Sequence, residues 1–174
     1  ADNRSEEINT CIACNQACLD HTFQLKRASC LVNPRACHET ELVFKTAPKA
    51  KKIAIVGAGP AGLSCATAAA DCGHEVHLFD QADKIGGQFN LAKTIPGKEE
   101  FDETLRYFAK KIETSGVKLK LNHRVEKAEL ENGGYDDVIV ATGVSPRALN
   151  IPGIDHAKVV SYIDVLKGNV TIGQ

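Results

Sequence analysis

The six residues GAGPAG at positions 57–62 restrict the fold of this chain more than any other stretch. A β-branched run at 53–56 precedes them, an alanine-rich helical pattern follows them, and Asp80 ends the next predicted strand 18 positions after Gly62. This order of strand, glycine turn, helix, strand and acidic residue is typical of a dinucleotide-binding βαβ unit. The sequence therefore predicts an α/β fold with a Rossmann-like parallel sheet and helices.

Each glycine of the turn has its own role in holding a pyrophosphate. Gly57 permits the tight turn, Gly59 lets the pyrophosphate approach the backbone, and Gly62 lets the helix pack closely on the strand. The helix N-terminus favours negative charge, and Asp80 can accept hydrogen bonds from a ribose without a 2′-phosphate. We therefore predict an adenine dinucleotide site for FAD or NAD. A glycine turn that binds nothing is the alternative.

Hydrophobic periodicity predicts further elements around this turn. The helix that begins in the glycine turn is expected to end at Gly73. Strands are expected at 53–56, 75–80, 117–121 and 135–143. Strands that alternate with helices in this way favour a parallel sheet.

Two more elements are predicted between the second strand and the last one. Phe101, Leu105, Phe108 and Ile112 have the spacing of one face of an amphipathic helix. The stretch RVEKAEL at 124–130 is expected to form another short strand.

The first 45 residues differ from the rest because they show no sustained period and are rich in cysteine. Four cysteines are spaced C-x2-C-x3-C-x11-C, at Cys11, Cys14, Cys18 and Cys30. Thiolates are ligands that both iron-sulfur clusters and zinc accept. Structural zinc usually takes ligands from two short pairs, whereas three close cysteines and a remote one better surround a cubane. We therefore predict a 4Fe-4S cluster, with zinc as the alternative.

The remaining three cysteines are assigned other roles. Cys37 is a possible substitute ligand, but Cys30 better matches the closing position. Cys65 and Cys72 fall in the alanine-rich helical pattern and are expected to pack as small buried residues. A disulfide framework explains seven cysteines poorly, because the number is odd and no secretory signal precedes them.

Composition limits the partners and the location of the chain. The 21 basic side chains nearly balance the 22 acidic ones, which gives no large field to attract nucleic acid or a membrane surface. No stretch has the roughly 20 apolar residues that span a bilayer, so a cytoplasmic location is expected. The chain contains no Met and is expected to be a piece of a longer protein.

These patterns divide the chain into three predicted parts. An irregular, cysteine-rich iron-sulfur segment covers 1–45, and a basic, Pro-containing linker covers 46–52. The residues 53–174 are predicted to form the N-terminal part of an FAD-binding domain.

FAD is favoured over NAD by a resemblance. The motifs GPAGL, GGQ (86–88) and VIVATG (138–143) resemble the FAD domain of flavoprotein disulfide reductases. In that family the segment after the acidic residue lies along the adenosine and pyrophosphate, and the ATG strand end turns back beside the cofactor. The resemblance adds to the turn residues Gly57, Gly59, Pro60, Ala61, Gly62 and Asp80 the cofactor candidates Gln88, Lys98, Val125, Ala141, Thr142 and Gly143.

Plainer interpretations remain open for three of these candidates. Gln88 and Lys98 are equally explained as residues of a solvated loop, and Val125 as a core residue of a strand.

The cysteine and glycine motifs together resemble one family along nearly the whole chain. The stretches CIACNQACLD, SCLVNPRACHE, VGAGPAGL, IGGQFNLAK and IPGKEEF closely resemble bacterial NADPH-dependent 2,4-dienoyl-CoA reductases. That family joins an Old Yellow Enzyme-type barrel, which holds FMN and the acyl-CoA, to a 4Fe-4S segment, an FAD domain and an NADPH domain. The resemblance covers the cluster segment and the first half of the FAD domain.

The resemblance implies an electron-transfer role for this part of the protein. In the family, electrons pass from NADPH through FAD and the cluster to FMN, which reduces the unsaturated acyl-CoA. The partners of this chain would then be the FMN barrel and the NADPH domain, with the substrate bound outside the chain. We predict no catalytic residue here and no activity for the chain alone. A related enoate reductase, an amine dehydrogenase fragment and a non-enzymatic zinc and nucleotide-binding domain are the alternatives.

Overall fold

A four-stranded parallel sheet forms the centre of the molecule in a computed structural model that describes residues 3–173. Its strands are β1 (Lys52–Val56), β2 (Glu75–Phe79), β3 (Lys118–Lys120) and β4 (Asp137–Val140). They are ordered β3-β2-β1-β4, and every neighbouring pair is parallel. This architecture confirms the predicted α/β class with a Rossmann-like parallel sheet.

Six α-helices accompany the sheet in the described part of the chain. They are α1 (Leu19–Phe23), α2 (Pro60–Asp71), α3 (Phe89–Ala92), α4 (Phe101–Ser115), α5 (Lys127–Asn132) and α6 (Tyr162–Leu166). A 3₁₀ turn at Ser5–Glu7 precedes α1.

The hydrophobic core lies between the sheet and the helices α2 and α4. Ile55, Leu63 and Leu78 are completely buried there, and α4 adds the buried Phe108 and Ile112. The predicted apolar face of this helix is therefore confirmed. Full burial of a large aliphatic side chain is worth about 1.5–3 kcal/mol, so this cluster supplies much of the stability of the sheet region.

The end of α2 matches the prediction made from glycine. Gly73 has φ +90°, and its N–H donates to the Ala70 carbonyl at 2.9 Å. The next N–H, of His74, donates to the Ala69 carbonyl at 3.1 Å. A left-handed residue here ends the helix and returns the chain towards β2.

One predicted element has the wrong type, and some strand boundaries differ from the predictions. The stretch predicted as a strand at 124–130 contains α5 instead, because KAELE consists of good helix formers and the predicted alternation is too short to specify a strand. β4 ends at Val140, although the Ala141 N–H still donates to the Val56 carbonyl at 2.8 Å. β1 already begins at Lys52, inside the predicted linker.

The cysteine-rich segment has little regular structure and little core. Within residues 3–45 only Ile12 and Ala17 are buried, and the five-residue α1 is the single α-helix. Hydrogen bonds between residues that are distant in sequence hold the parts of this segment together. The Ser29 N–H donates to the Ala17 carbonyl at 2.7 Å, and the Asn9 side-chain amide donates to the Val32 carbonyl at 2.6 Å.

No helix among residues 3–173 has the length and apolar character needed to cross a membrane.

Candidate functional site

A cleft of about 890 Å³ opens at the carboxyl ends of β1 and β4. It is bounded by the glycine turn after β1, the loop after β2 and the chain that leaves β4. The strand order reverses between β1 and β4, since β2 and β3 lie on the other side of β1. Open parallel sheets bind ligands at such a reversal, and the volume is within the usual range for small-molecule sites.

Two glycines of the turn are required by close packing. Gly57 has φ +109°, and a Cβ added to it would lie 2.3 Å from the Ala141 carbonyl oxygen. A Cβ added to Gly62 would lie 1.8 Å from the Gly57 carbonyl oxygen. Gly57 thus lets the chains after β1 and β4 approach, and Gly62 lets α2 pack beneath the turn.

Gly59 differs from both, because a Cβ added there would meet no atom within 4 Å. The residue lines the cleft and is the N-cap of α2. No protein contact therefore explains glycine at this position, whereas a ligand that lies against the backbone does.

The first turn of α2 is suited to an anion. Its N-cap has an extended backbone, its first residue is Pro60, and no side chain within residues 3–173 caps its N–H groups. The first N–H groups of a helix have no partner within the helix and carry the positive end of its dipole. Pro60 and Ala61 line the cleft, so this end of the helix lies at its wall. This is the local geometry that pyrophosphate sites use.

Asp80 is fixed at the end of β2 by two backbone N–H groups. Its Oδ2 accepts from the Ala58 N–H at 2.6 Å, and its Oδ1 accepts from the Ala82 N–H at 2.8 Å. Each carboxylate oxygen keeps a further lone pair for a ligand. Asp80 lines both the cleft and an adjoining cavity of about 380 Å³, in which Val125 and Thr142 also lie.

The segment after Asp80 packs directly on the glycine turn. The Gly86 N–H donates to the Ala58 carbonyl at 2.7 Å, and a Cβ at Gly87 would lie 3.2 Å from the Gly59 Cα. Gln88 lines the cleft and donates its side-chain amide to the Val144 carbonyl at 2.6 Å. The Gln88 side chain therefore links this segment to the chain after β4.

The structure brings most of the predicted cofactor residues to one place. The cleft is lined by nine of them: Gly57, Gly59, Pro60, Ala61, Asp80, Gln88, Ala141, Thr142 and Gly143. Val125 lines the adjoining cavity, and Gly62 lies beneath the turn.

Lys98 is the candidate that the structure does not bring to the cleft. Its Nζ lies 5.6 Å from the centre of the Phe101 ring, and the residue lines a different cavity. The helix α3 lies between Lys98 and the GGQ segment that reaches the cleft.

Sequence reasoning missed several residues of the cleft. Lys84 follows Asp80 in the same loop, so its position after the acidic residue was an available signal. Ile163 and Leu166 of α6 and the adjacent Lys167 also line the cleft, but they lie far along the chain and carry no motif.

The cysteine-rich segment adjoins this site through a third cavity, of about 320 Å³. Cys14 lines it on one side, and Pro60 of the glycine turn, Thr104 and Phe108 line it on the other. Pro60 also lines the nucleotide cleft. Thr104 is only 3% exposed, and its hydroxyl has no hydrogen-bond partner among the described residues.

The four predicted ligand thiols are all free. Cys11 and Cys18 are exposed, Cys14 and Cys30 are half-buried, and the Ala13 N–H donates to the Cys11 sulfur at 3.3 Å. Within residues 3–173, no three or more His, Cys, Asp or Glu side chains are arranged to hold a metal ion. Four thiols are a suitable set of ligands for an iron-sulfur cluster. This agreement rests on the chemistry of the thiols, because they are not already arranged around a common centre.

Cys65 and Cys72, which the sequence predicted to be buried, are both half-buried. Cys65 packs against the buried core as predicted, and burial raises the pKa of its thiol. Cys72 lies at the end of α2.

Comparisons with known proteins identify relatives over the whole chain. The family model of pyridine nucleotide-disulphide oxidoreductases matches residues 51–168. A metal reductase of Desulforamulus reducens is 37% identical over 97% of the chain, and a cinnamate reductase of Clostridium sporogenes is 33% identical over 99%. The solved complex of 2-naphthoyl-CoA reductase with 2-naphthoyl-CoA matches 97% of the chain with a TM-score of 0.91 and 38% identity.

The chain spans about a quarter of the length of these relatives. It covers 26% of the metal reductase, 26% of the cinnamate reductase and 26% of the naphthoyl-CoA reductase chain.

Proposed function

This chain belongs to the pyridine nucleotide-disulphide oxidoreductase family, and from that membership we propose that it is the electron-transfer part of a larger flavin reductase. Its cleft binds FAD, and its cysteine segment holds a 4Fe-4S cluster through Cys11, Cys14, Cys18 and Cys30. The open space beside Gly59, in front of the N-terminus of α2, is the observation that carries the dinucleotide site, and the resemblance of GPAGL, GGQ and VIVATG to flavoprotein FAD domains favours FAD as its ligand. Bound FAD supplies transfer of a hydride or of single electrons.

Different residues of the chain bind different parts of FAD. The N-terminus of α2 binds the pyrophosphate, and Gly59 leaves room for it against the backbone. Asp80 accepts hydrogen bonds from the adenosine ribose, while Val125 and Thr142 line the adjoining cavity for the adenine. Gln88 holds the loop before α3 against the chain after β4.

The cluster assignment is supported by the donor set and by its location. Ser29 and Ala17 pair through their backbones, which brings together the chain next to Cys18 and the chain next to Cys30. Cys14 and the glycine turn line the same cavity, so a cluster on these thiols would lie beside the flavin site.

The parent protein proposed here is an NADPH-dependent reductase of the 2,4-dienoyl-CoA reductase type. FMN and the unsaturated acyl-CoA would bind in its barrel, and NADPH in a further domain. The relatives named for cinnamate and naphthoyl-CoA support a conjugated acid or acyl thioester as the substrate class. The test is NADPH oxidation by the full-length parent with 2,4-dienoyl-CoA and, separately, with cinnamate. If the parent protein reduces neither compound, the proposed substrate class is wrong.

A Gly59→Ala variant tests the flavin site directly. FAD binding is followed by quenching of flavin fluorescence, with ADP as a competitor that carries only the adenosine and pyrophosphate. We expect Gly59→Ala to weaken both ligands by about tenfold or more, since a misplaced group in a charged hydrogen-bonding site costs about 1.5–3 kcal/mol.

Gly173→Ala is the matched control for this experiment. A Cβ at Gly173 also meets no atom within 4 Å, but the residue does not line the cleft. This variant should bind FAD like the unchanged chain. Equal affinity of Gly59→Ala and Gly173→Ala would contradict the site. Binding of NADPH in place of FAD would contradict the cofactor.

Anaerobic reconstitution with ferrous iron and sulfide tests the cluster. We expect about four irons and four labile sulfides per chain. A chain that takes up one zinc ion and no iron under these conditions would replace the cluster with a structural zinc site.

A further inference from the structure

Arg106 connects α4 to the residues that precede the first cysteine. Its guanidinium donates to the Glu6 carbonyl at 2.6 Å, to the Ile8 carbonyl at 3.0 Å and to the Thr10 hydroxyl at 3.3 Å. These partners lie 96 to 100 positions away along the chain. Three contacts from one side chain thus attach residues 6–10 to the nucleotide-binding part of the molecule.

The attached segment is itself tied to the far end of the cysteine region. Ile8 is extended, with φ −88° and ψ 124°, so neighbouring residues face opposite sides. Glu6, Ile8 and Thr10 contact Arg106, whereas Asn9 donates to the Val32 carbonyl at 2.6 Å. The segment therefore lies between α4 and the chain that follows Cys30.

We propose that Arg106 is a positioning residue, which holds residues 6–10 against α4 and thereby fixes where Cys11 enters the cysteine segment. Within residues 3–173, Arg106 donates to none of the four thiols and acts through the backbone carbonyls of Glu6 and Ile8 and the Thr10 hydroxyl. Asn9 lies within the attached residues 6–10 and donates to the Val32 carbonyl, two positions after Cys30. Arg106 therefore also helps to fix the position of the chain beside Cys30.

Arginine is suited to this role in a way that lysine is not. Its planar fork presents five N–H donors, so several acceptors in different directions can be bound at once. Glu103 orients the fork by accepting from the Arg106 Nε at 2.9 Å and from the Thr10 hydroxyl at 3.3 Å. A single ammonium group at this position would keep only part of this set.

The experiment compares Arg106→Met, Arg106→Lys and Lys111→Met in the metal-free chain. Lys111 lies on the same helix and pairs with Asp71 of α2 at 2.8 Å, so it controls for the loss of one charge from α4. Amide hydrogen exchange of residues 5–12 is measured. We expect it to rise about tenfold or more in Arg106→Met, as loss of charge-assisted hydrogen bonds predicts. We expect partial rescue in Arg106→Lys and no change in Lys111→Met.

A Thr10→Val variant keeps the inference testable if Arg106→Met folds poorly. Thr10 is outside the sheet region, and its loss should raise exchange at residues 5–12 by a smaller factor. Unchanged exchange in both Arg106→Met and Thr10→Val would overturn the proposal, as would an equal rise in Lys111→Met.

The same variants connect the inference to the proposed cluster. After reconstitution, Arg106→Met should hold less iron per chain than the unchanged protein, and Arg106→Lys should recover part of it. This last step rests on the proposed function, whereas hydrogen exchange of the metal-free chain does not. Absence of iron from the unchanged chain would therefore refute the cluster, and hydrogen exchange would still decide the role of Arg106.

Discussion

The cysteine-rich segment and the sheet region are stabilised by different means. In the sheet region, Ile55, Leu63, Leu78 and Phe79 are completely buried between strands and helices. In residues 3–45 only Ile12 and Ala17 are buried, and Phe23 and Leu25 are 81% and 97% exposed. The first region is held by apolar burial, and the second by polar contacts such as those of Asn9 and Arg106.

The difference indicates what the cysteine segment needs in order to be rigid. A stretch with almost no core cannot offset its conformational entropy by burial, and small regions of this kind usually depend on metals or cross-links. Five of the seven cysteines lie in it, and none of the seven forms a disulfide. This contrast between the two regions leads to four predictions.

The largest effect is expected from a truncation in the buried sheet. Leu78→Ala should lower the free energy of unfolding by about 2–5 kcal/mol, because it removes a fully buried side chain and leaves a cavity. Phe23→Ala in the cysteine segment should change it by less than about 0.5 kcal/mol. Urea unfolding measures both. Similar losses in the two variants would mean that the segment has a core of its own.

A smaller loss is expected where α2 packs beneath the glycine turn. Gly62→Ala places a Cβ 1.8 Å from the Gly57 carbonyl oxygen and should cost about 1–3 kcal/mol. Alanine gains about 1 kcal/mol in helix propensity, which offsets part of this cost. Gly173→Ala, which meets no atom within 4 Å, should leave the urea midpoint unchanged. An unchanged midpoint in Gly62→Ala would show that the turn can shift without cost.

Thiol chemistry should separate the two regions without changing stability. Burial raises the pKa of the Cys65 thiol, so less of the reactive thiolate is present at neutral pH. Cys18 is exposed. In the metal-free chain, iodoacetamide should label Cys18 before Cys65, as peptide mass spectrometry can follow. Earlier labelling of Cys65 would mean that the helix opens more readily than the cysteine segment.

The smallest effect concerns a carboxylate on the surface of the sheet. Hydrogen bonds from Lys118 and then His77 lower the pKa of Glu75 from 4.5 to about 2. Because the pKa is lower in the folded state, its contribution is complete above about pH 4.5 and disappears as the pH falls towards 2. Thermal unfolding between pH 6 and 2 should therefore show a slightly shallower acid decline for Glu75→Gln. Identical curves would show that the pair is screened by solvent.

The elements that local patterns specify strongly were predictable from the sequence. The glycine turn with Asp80 predicted the βαβ unit, and the spacing of Phe101, Phe108 and Ile112 predicted α4. The 124–130 stretch was predicted wrongly as a strand, since a seven-residue pattern does not distinguish a period of 2 from one of 3.6. Tertiary contacts and helix propensity decide such cases.

The residues of the candidate site also fall into those that the sequence predicted and those that it did not. Residues within the glycine and ATG motifs reach the cleft, because the motifs lie at the carboxyl ends of neighbouring strands. Lys98 does not reach it, and α6 was not foreseen, because the course of a loop depends on contacts that no local pattern records. The partners of Arg106 lie nearly 100 positions away, so only a folded structure reveals them.

The two outer strands of the sheet have different surfaces. β3 ends the sheet with Lys118 and Lys120 exposed, and charged lysines on a border strand discourage pairing with another chain. β4 ends it on the other side with Val138 44% and Val140 72% exposed. At high concentration this chain by itself should therefore associate through the apolar β4 rather than through the charged β3.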